Sequence, residues 1–396
     1  DEVALHAVLP PQPPQLSAPV HLIDPHGLTA RLFDRLGVRY VRFDGTHAPA
    51  AGARVVIGRE ALDGSAVPWL TRLDEGLRVL VFEQRAETLE RGLGFRIAER
   101  GARRLFPRAA HPVTRGLDEA AFRDWTGSGT LVTPHLTGLP AAETHDPHGT
   151  WCGFTNTRVW RCGNRGNVAT ALIEKPAVGD FLPILDGGFS LQYASLMEYR
   201  EGDGMVLFCQ TDVTGRTESD PAAEALARNI VRYVSQWQPA ARRTVVYAGD
   251  EAGREHLEAA GITLSAFNGD LSDGQVLVVG PGAGEQLAAN ASAVRDWVRD
   301  GGQVVALGLT GEEASAFLPA QVTTTPGEHI ASCFEAVGTD SPLVGVSPAD
   351  VHNRDPRGAC ADYAGPVSEA ILFPGAVIAV LATRAGQTAP NTSYTT

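Results

Sequence analysis

The strongest apolar pattern in the chain is an unbroken run at 205–209, which follows a Gly-Asp-Gly turn. Polar residues follow at 210–216, and an amphipathic segment occupies 224–237. This order is typical of a buried central strand that delivers a loop to the carboxyl edge of an α/β sheet. We therefore expect any chemistry of the chain to lie in that loop.

Short apolar runs alternate with amphipathic segments through the first half of the chain. Strands separated by helices of about one crossover each indicate a parallel sheet that is covered on both faces. The segment 195–199 is predicted to pair with the run at 205–209 as a β-hairpin. The other predicted strands are 21–24, 38–43, 55–58, 79–84 and 168–176, and the predicted helices are 27–36, 65–77 and one that starts at 115–118.

The same alternation returns after residue 240. The sequence therefore predicts the α/β class, with two doubly wound, mainly parallel-sheet domains. The second is expected to be incomplete, since nothing in it matches 205–237, and the missing strand and helix would be truncated or supplied by another chain. Its predicted strands are 244–249, 276–280 and 304–308, with helices at 252–260 and 288–299.

These patterns divide the chain into four parts. A proline-rich linker from an upstream module is predicted at 1–19, a first domain at 20–237, a second at 240–382 and a flexible tail at 383–396. His-Pro at 111–112 and Ser-Pro at 341–342 follow the strand runs of the two domains, which favours an internal duplication. The chain begins at Asp1 without Met, so we expect it to be a piece of something longer.

The net charge of the 396 residues is −13, and residues 239–396 contribute −10 of it, with 8 basic and 18 acidic side chains. Nucleic acid is not expected as a partner, because phosphate binding needs a clustered positive surface. No apolar run approaches the roughly 20 residues of a membrane helix, so no membrane partner is expected and the chain is predicted to be soluble, with cytoplasmic and secreted locations both open.

The five cysteines form no CxxC pair, so no structural zinc site is expected. Cys152 and Cys162 are close enough in sequence for a disulfide in an oxidising compartment, although free thiols are the favoured interpretation. The polar cluster of His135, His145, Asp146 and His148 is predicted to be a solvated loop rather than a metal site. We expect neither a metal nor a cofactor.

Catalytic signatures are missing from the expected positions. The strand-to-helix turns at 81–85 and 278–282 carry no Cys or Ser, and Cys209 is predicted to be a core thiol, so no catalytic residue is predicted. The glycine-rich segment 280–284 favours a tight turn over a phosphate loop. Carboxylates that could serve a glycosidase are Glu83, Glu174, Asp186, Glu198 and Asp212, although most carboxylates on such loops cap helices or pair with Arg. Aromatic rings that could stack on a sugar are Trp125, Trp151, Trp160 and Tyr193, although core packing is the favoured interpretation.

A polar network is expected at the carboxyl edge of the first sheet. Asp212 and Arg216 follow the apolar run and should lie next to a turn at 186–188, with Arg216 held between Asp186 and Asp212. We expect a structural role for this network, worth about 1–3 kcal/mol of stability. The candidate binding residues are therefore Trp125, Trp151, Asp186, Asp212 and Arg216.

Three segments carry a family resemblance: Phe-Arg-Asp-Trp at 122–125, the run at 174–189, and the run at 208–217. They resemble class I glutamine amidotransferase-like regions of large bacterial glycoside hydrolases of family 2 type. More distantly, they are similar to the trimerisation domain of family 42 β-galactosidases. The resemblance covers 20–237 well and 240–380 loosely.

This resemblance implies a flavodoxin-like or amidotransferase-like fold that has lost its nucleophile. It implies an accessory or assembly region of a carbohydrate-active enzyme, whose partners would be an upstream catalytic module, another subunit or a second copy, and a saccharide. The alternative is a hydrolase in its own right, acting on a saccharide through carboxylates at the carboxyl edge of the first sheet.

Overall fold

The computed structural model describes residues 18–62, 68–131, 165–176, 179–188, 191–240, 243–307 and 309–323, with Leu16 and four short strands at 149–151, 154–156, 337–338 and 379–381. Contacts divide the chain into two units. The first comprises Asp1–Pro239 with Glu335–Val346, and the second comprises Ala240–Phe334 with Ser347–Thr396. The sequence assigns 335–346 to the second domain, but β-pairing places part of it in the first unit.

The first unit contains three α-helices and three 3₁₀ helices among the described residues. The helices are α1 Leu28–Leu36, α2 Ala86–Leu93 and α3 Pro221–Gln236, and the 3₁₀ helices are Pro68–Glu75, Pro112–Thr114 and Glu119–Phe122. The strands are β1 Val20–Ile23, β2 Tyr40–Arg42, β3 Arg54–Ile57, β4 Arg78–Val81, β5 Ile97–Ala102, β6 Phe106–Pro107, β7 Ala109–Ala110, β8 Trp125–Ser128, β9 Gly149–Trp151, β10 Phe154–Asn156, β11 Arg165–Gly166, β12 Ala169–Glu174, β13 Asp180–Gly187, β14 Tyr193–Glu201, β15 Gly204–Cys209 and β20 Val337–Gly338.

A 10-stranded sheet organises this unit, in the order β2-β1-β3-β4-β15-β14-β12-β5, with β13 paired to β14 and β6 to β13. The strands from β2 to β15 are parallel, and the strands from β14 onward are antiparallel. The hairpin predicted for 195–199 and 205–209 is confirmed, since Leu196 pairs with Cys209 and Tyr199 with Val206. Away from this sheet, β20 pairs with β7.

Side-chain alternation along the central strands explains why both faces of the sheet are covered. Leu80 and Leu207 belong to the core cluster that includes α1 and α3, whereas Val81 and Phe208 belong to the cluster that includes Pro68–Glu75 and α2. Successive side chains of a strand point to opposite faces, so an unbroken apolar run fits a strand that is buried on both. The predicted α/β class is confirmed.

The second unit has a 5-stranded sheet in the order β17-β16-β18-β19-β21. Its first four strands are parallel and repeat the order β2-β1-β3-β4 of the first unit, whereas β21 lies antiparallel beside β19. This shared order supports the predicted duplication, although the segment after 338 that carries the second motif lies outside the described residues. The elements are β16 Thr244–Ala248, α4 Glu251–Ala259, β17 Leu264–Ala266, β18 Gln275–Val279, α5 Gly284–Ala289, α6 Ala291–Arg299, β19 Gln303–Ala306, α7 Gly311–Phe317 and β21 Ala379–Leu381.

Several local predictions are wrong. The helix expected at 65–77 is the 3₁₀ helix Pro68–Glu75, and the helix expected at 288–299 is divided at Asn290. The turn expected at 186–188 is the end of β13, where Asp186 pairs with Ala194. Gly187 lets the side chain of Leu105 pack closely against β13, because a Cβ at position 187 would lie only 2.8 Å from Leu105 Cδ2.

Gly204 supplies a test of how the hairpin packs. A Cβ on this residue would lie 1.9 Å from the carbonyl oxygen of Leu73, in the 3₁₀ helix that packs on the hairpin. Gly204→Ala should therefore destabilise the first unit by about 1–3 kcal/mol or more, because backbone must move. Urea unfolding measures this. Gly284→Ala is the control, since the nearest atom to its Cβ would be Glu313 Cγ at 3.9 Å. Equal midpoints for the two variants would contradict the packing described.

Candidate functional site at the carboxyl edge of the first sheet

The carboxyl ends of β1, β3, β4 and β15 meet at one edge, which is where open α/β sheets bind ligands. Polar residues follow each of these strands. The loop after β15, residues 210–220, is called the edge loop below. The residues concerned are Asp24 after β1, Arg59 and Glu60 after β3, Glu83 and Gln84 after β4, and Gln210, Asp212, Thr214 and Arg216 in the edge loop.

The N-terminus of α1, the first helix at this edge, is capped by the side chain of Asp24, which precedes the helix. The Asp24 carboxylate accepts hydrogen bonds from the N–H groups of Leu28 at 3.2 Å and Ala30 at 2.7 Å. These are donors that a helix of this fold class can offer to a phosphate. Asp24 therefore occupies the position that an anionic ligand would take at α1.

Glu83 lies two residues after the end of β4, in the turn between β4 and α2. Its side chain is 0% exposed, and both carboxylate oxygens accept hydrogen bonds from Thr214: Oε1 from the backbone N–H at 2.7 Å and Oε2 from the hydroxyl at 2.8 Å. Burial, and next the charge of Asp212, raise the pKa of Glu83 to about 7, against the opposing effects of the Thr214 N–H and Arg59.

Two glutamines link the ends of β4 and β15, beyond the last backbone hydrogen bonds between these strands. The Gln84 N–H donates to Gln210 Oε1 and the Gln210 side-chain amide donates to the Gln84 carbonyl, both at 2.9 Å. Gln84 Nε2 also donates to the carbonyls of Gly58 and Phe82, each at 2.7 Å. Backbone groups at the end of buried strands are thus satisfied by side chains rather than by water.

Asp212 and Arg216 form a buried ion pair, with Arg216 Nη1 at 2.9 Å from Asp212 Oδ2 and side chains 2% and 1% exposed. Asp212 also accepts from the Thr130 N–H at 2.8 Å and from its hydroxyl. Burial raises the pKa of Asp212, and the bonds from Thr130 and Arg216 limit that rise. Arg216 further donates to the backbone carbonyls of Trp125, Thr126 and Asn167 at 2.8, 2.9 and 2.9 Å.

Of the predicted network, the structure brings together Asp212 and Arg216 but not Asp186. Asp186 lies in β13, which β14 separates from β15, and its carboxylate accepts from Lys175 Nζ at 2.7 Å with Arg108 Nε at 4.0 Å. Arg216 pairs with no carboxylate but Asp212 among the described residues. The prediction that Arg216 lies between two carboxylates is therefore wrong.

The aromatic candidates do not form a described surface. Trp125 is 2% exposed, and its indole N–H donates to the Ala121 carbonyl at 2.8 Å. It packs in the core with both ring faces covered, so it offers no face for a sugar. The side chain of Trp151 lies outside the described residues, and so do Cys152, Cys162, Trp160 and the predicted polar cluster at 135–148.

Glu198 is the centre of a second buried network. Its Oε2 accepts from Tyr233 at 2.5 Å and lies 3.3 Å from His111 Nε2, and Arg200 binds its other oxygen. His111 Nδ1 accepts the Val113 N–H, which leaves the proton on Nε2. Burial alone would raise the pKa of Glu198, but the His111 bond, the Arg200 charge and Tyr233 outweigh it and lower the pKa. This network fixes α3 to β14.

No nucleophile elbow occurs among the described residues. The non-glycine residues with positive φ are Glu60, Asp124 and Leu191, and none lies in the turn between β4 and α2. Cys209 is fully buried, and burial raises the pKa of its thiol well above the usual value. Such a thiol is a poor nucleophile.

The glycine-rich turn of the second unit is closed by Tyr247. A Cβ on Gly249, Gly253 or Gly280 would lie only 2.1–2.4 Å from the Tyr247 hydroxyl oxygen. The Pro281 carbonyl accepts the Asp250 N–H at 2.8 Å. The segment is thus a tight turn packed on a tyrosine.

In the described part of the chain, no three His, Cys, Asp or Glu side chains are placed to hold a metal ion. None of the helices described has the length and apolar character required to span a membrane.

No family model matches the chain, and no curated protein matches its sequence.

The residues that sequence reasoning missed are Thr214, Thr130, Arg59, Gln84 and Gln210. Glu83 was included only as one of several carboxylates. Only their position in the sequence could have indicated a role for Glu83, Gln84 and Gln210, since these residues follow buried strands closely. The contacts of Thr214 and Thr130 join residues 131 and 82 positions apart, which no local pattern marks.

Loss of the Arg216 side chain should destabilise the folded protein, because Asp212 would stay buried without its ion-pair partner. We expect Arg216→Ala to lower the free energy of unfolding by about 3–5 kcal/mol, more than expected from the sequence, because an unpaired carboxylate stays buried. Urea unfolding tests this, with Arg91→Ala as control, since Arg91 and its partner Glu87 are 77% and 70% exposed. That control should change by less than about 1 kcal/mol. Similar losses in both variants would contradict a structural role for Arg216.

Cys209 should be inert in the folded protein. Iodoacetamide should leave Cys209 unmodified in native protein at pH 8 and modify it fully in urea, because the thiol is buried and resists ionisation. Peptide mass spectrometry separates Cys209 from the other four cysteines. Complete modification in the native state would show that the end of β15 is open.

Proposed function

We propose that this chain is a non-catalytic accessory or assembly region of a carbohydrate-active enzyme of the glycoside hydrolase class. Its role would be domain packing, oligomerisation or support of saccharide binding. The partners would be an upstream catalytic module, another subunit or a second copy of the chain, and no cofactor is invoked. The family resemblance of 122–125, 174–189 and 208–217 supplies the enzyme class.

One observation carries the non-catalytic part of this proposal. In the turn between β4 and α2, where the resembling fold places its nucleophile, Glu83 is 0% exposed and both of its oxygens are bound by Thr214. A reacting group needs access to substrate within hydrogen-bond distance. The edge of the first sheet is instead filled by side chains that satisfy one another, which supports a structural use of the fold.

A second candidate is a hydrolase that acts through carboxylates at the same edge. The raised pKa of Glu83, about 7, favours it, because a carboxyl group that is protonated near neutral pH can act as a general acid. Its neighbour Asp212 is the second carboxylate that such a mechanism would need. Against it, both side chains are buried and hydrogen-bonded inside the protein.

Turnover assays distinguish the two candidates. The purified chain should hydrolyse neither glutamine nor a panel of 4-nitrophenyl glycosides above the buffer rate. Hydrolysis that disappears in both Glu83→Gln and Asp212→Asn, while Glu87→Gln retains it, would support the hydrolase and contradict the accessory role. Glu87 is the control because it is not among the candidate carboxylates and its side chain, on α2, is 70% exposed.

Two binding measurements test the proposed assembly role. Sedimentation velocity over a range of concentrations should show self-association, or calorimetric titration should show saccharide binding. A chain that stays monomeric, binds no saccharide and does not associate with the remainder of its parent protein would contradict the proposal.

A further inference from the structure

The Glu83 carboxyl group adds a link between the ends of two paired central strands, β4 and β15, beyond their backbone ladder. It follows β4, whereas Thr214 lies in the edge loop after β15, and the two hydrogen bonds between them measure 2.7 and 2.8 Å. Both residues are buried, Glu83 at 0% and Thr214 at 2% exposure. The state of this one carboxyl therefore affects how the edge loop is held.

The charged and titratable groups around Glu83 come from the neighbouring strand ends. Arg59 follows β3, Cys209 ends β15, and Asp212 lies in the edge loop. Arg59 binds Glu60 and the Thr130 carbonyl, and Asp212 binds Arg216. Glu83 itself forms no ion pair in the described part of the chain.

A protonated carboxyl can keep both of these contacts. A hydroxyl can donate or accept, so the Thr214 Oγ that lies 2.8 Å from Glu83 Oε2 can accept the carboxyl proton while the Thr214 N–H still donates to Oε1. Both hydrogen bonds then persist without buried charge. When the proton leaves, a carboxylate without a paired cation remains beside Asp212, and opening of the loop would let water reach it.

We propose that Glu83 and Thr214 form a proton-controlled latch, in which the protonated carboxyl holds the Thr214 segment of the edge loop against the end of β4 and loss of the proton weakens that attachment. Burial and the charge of Asp212 raise the pKa of Glu83 to about 7 in the closed form, against 4.5 for an ordinary glutamate. Because the folded pKa is raised, the stabilisation is fully present below pH 4.5 and is lost as the pH rises to about 7. This inference does not depend on the proposed function.

Amide hydrogen exchange of the edge loop tests the latch in the intact chain. The protection factor of the Thr214 N–H, corrected for intrinsic exchange, should fall about tenfold per pH unit between about pH 5 and 7 and level off above. The Phe82 N–H, bonded to the Ile57 carbonyl at 2.9 Å in the adjacent strands, should change little and serves as an internal reference.

Glu83→Gln should abolish the dependence. Its amide can accept the Thr214 N–H and donate to the hydroxyl without ionising, so the protection factor should not vary with pH. Glu174→Gln is the matched control and should keep the wild-type profile. An equal fall with pH in Glu83→Gln would overturn the latch. A flat wild-type profile would also overturn it, and that measurement needs no variant.

Discussion

The ends of β4 and β15 impose the constraint on which the first unit depends. These strands lie in the centre of a sheet covered on both faces, so the polar groups that follow them must find partners inside the protein. Gln84 and Gln210 bond each other reciprocally, and Thr214 binds both oxygens of Glu83. The edge loop is therefore folded back over the sheet.

The same loop holds segments that are distant in sequence. Arg216 binds backbone carbonyls at 125, 126 and 167 besides its ion pair with Asp212. At the end of the loop, Asp220 caps α3 and accepts the Thr126 N–H at 2.9 Å. A site that open α/β folds often use for ligands is in this unit a junction between chain segments. That is the physical basis for regarding it as structural.

Local sequence patterns were sufficient for the architecture but not for this junction. The apolar run at 205–209 and the alternation of strands and helices predicted the central strand, the hairpin and the fold class. Gly-Gly at 187–188 suggested a turn, yet β-pairing keeps Asp186 in β13, and this removes it from Arg216. The decisive contacts span 82 to 131 residues, a separation over which hydrophobic periodicity carries no information.

The carboxyl group of Glu83, just after β4, is enclosed and hydrogen-bonded within the protein. The most direct test is a ¹³C NMR titration of the Glu83 carboxyl carbon in protein labelled at glutamate, with Glu83→Gln to assign the signal. An inflection is expected near pH 7, because burial and the charge of Asp212 raise the pKa of Glu83. An inflection near pH 4.5, the ordinary value for glutamate, would show a solvated carboxylate and contradict the closed edge.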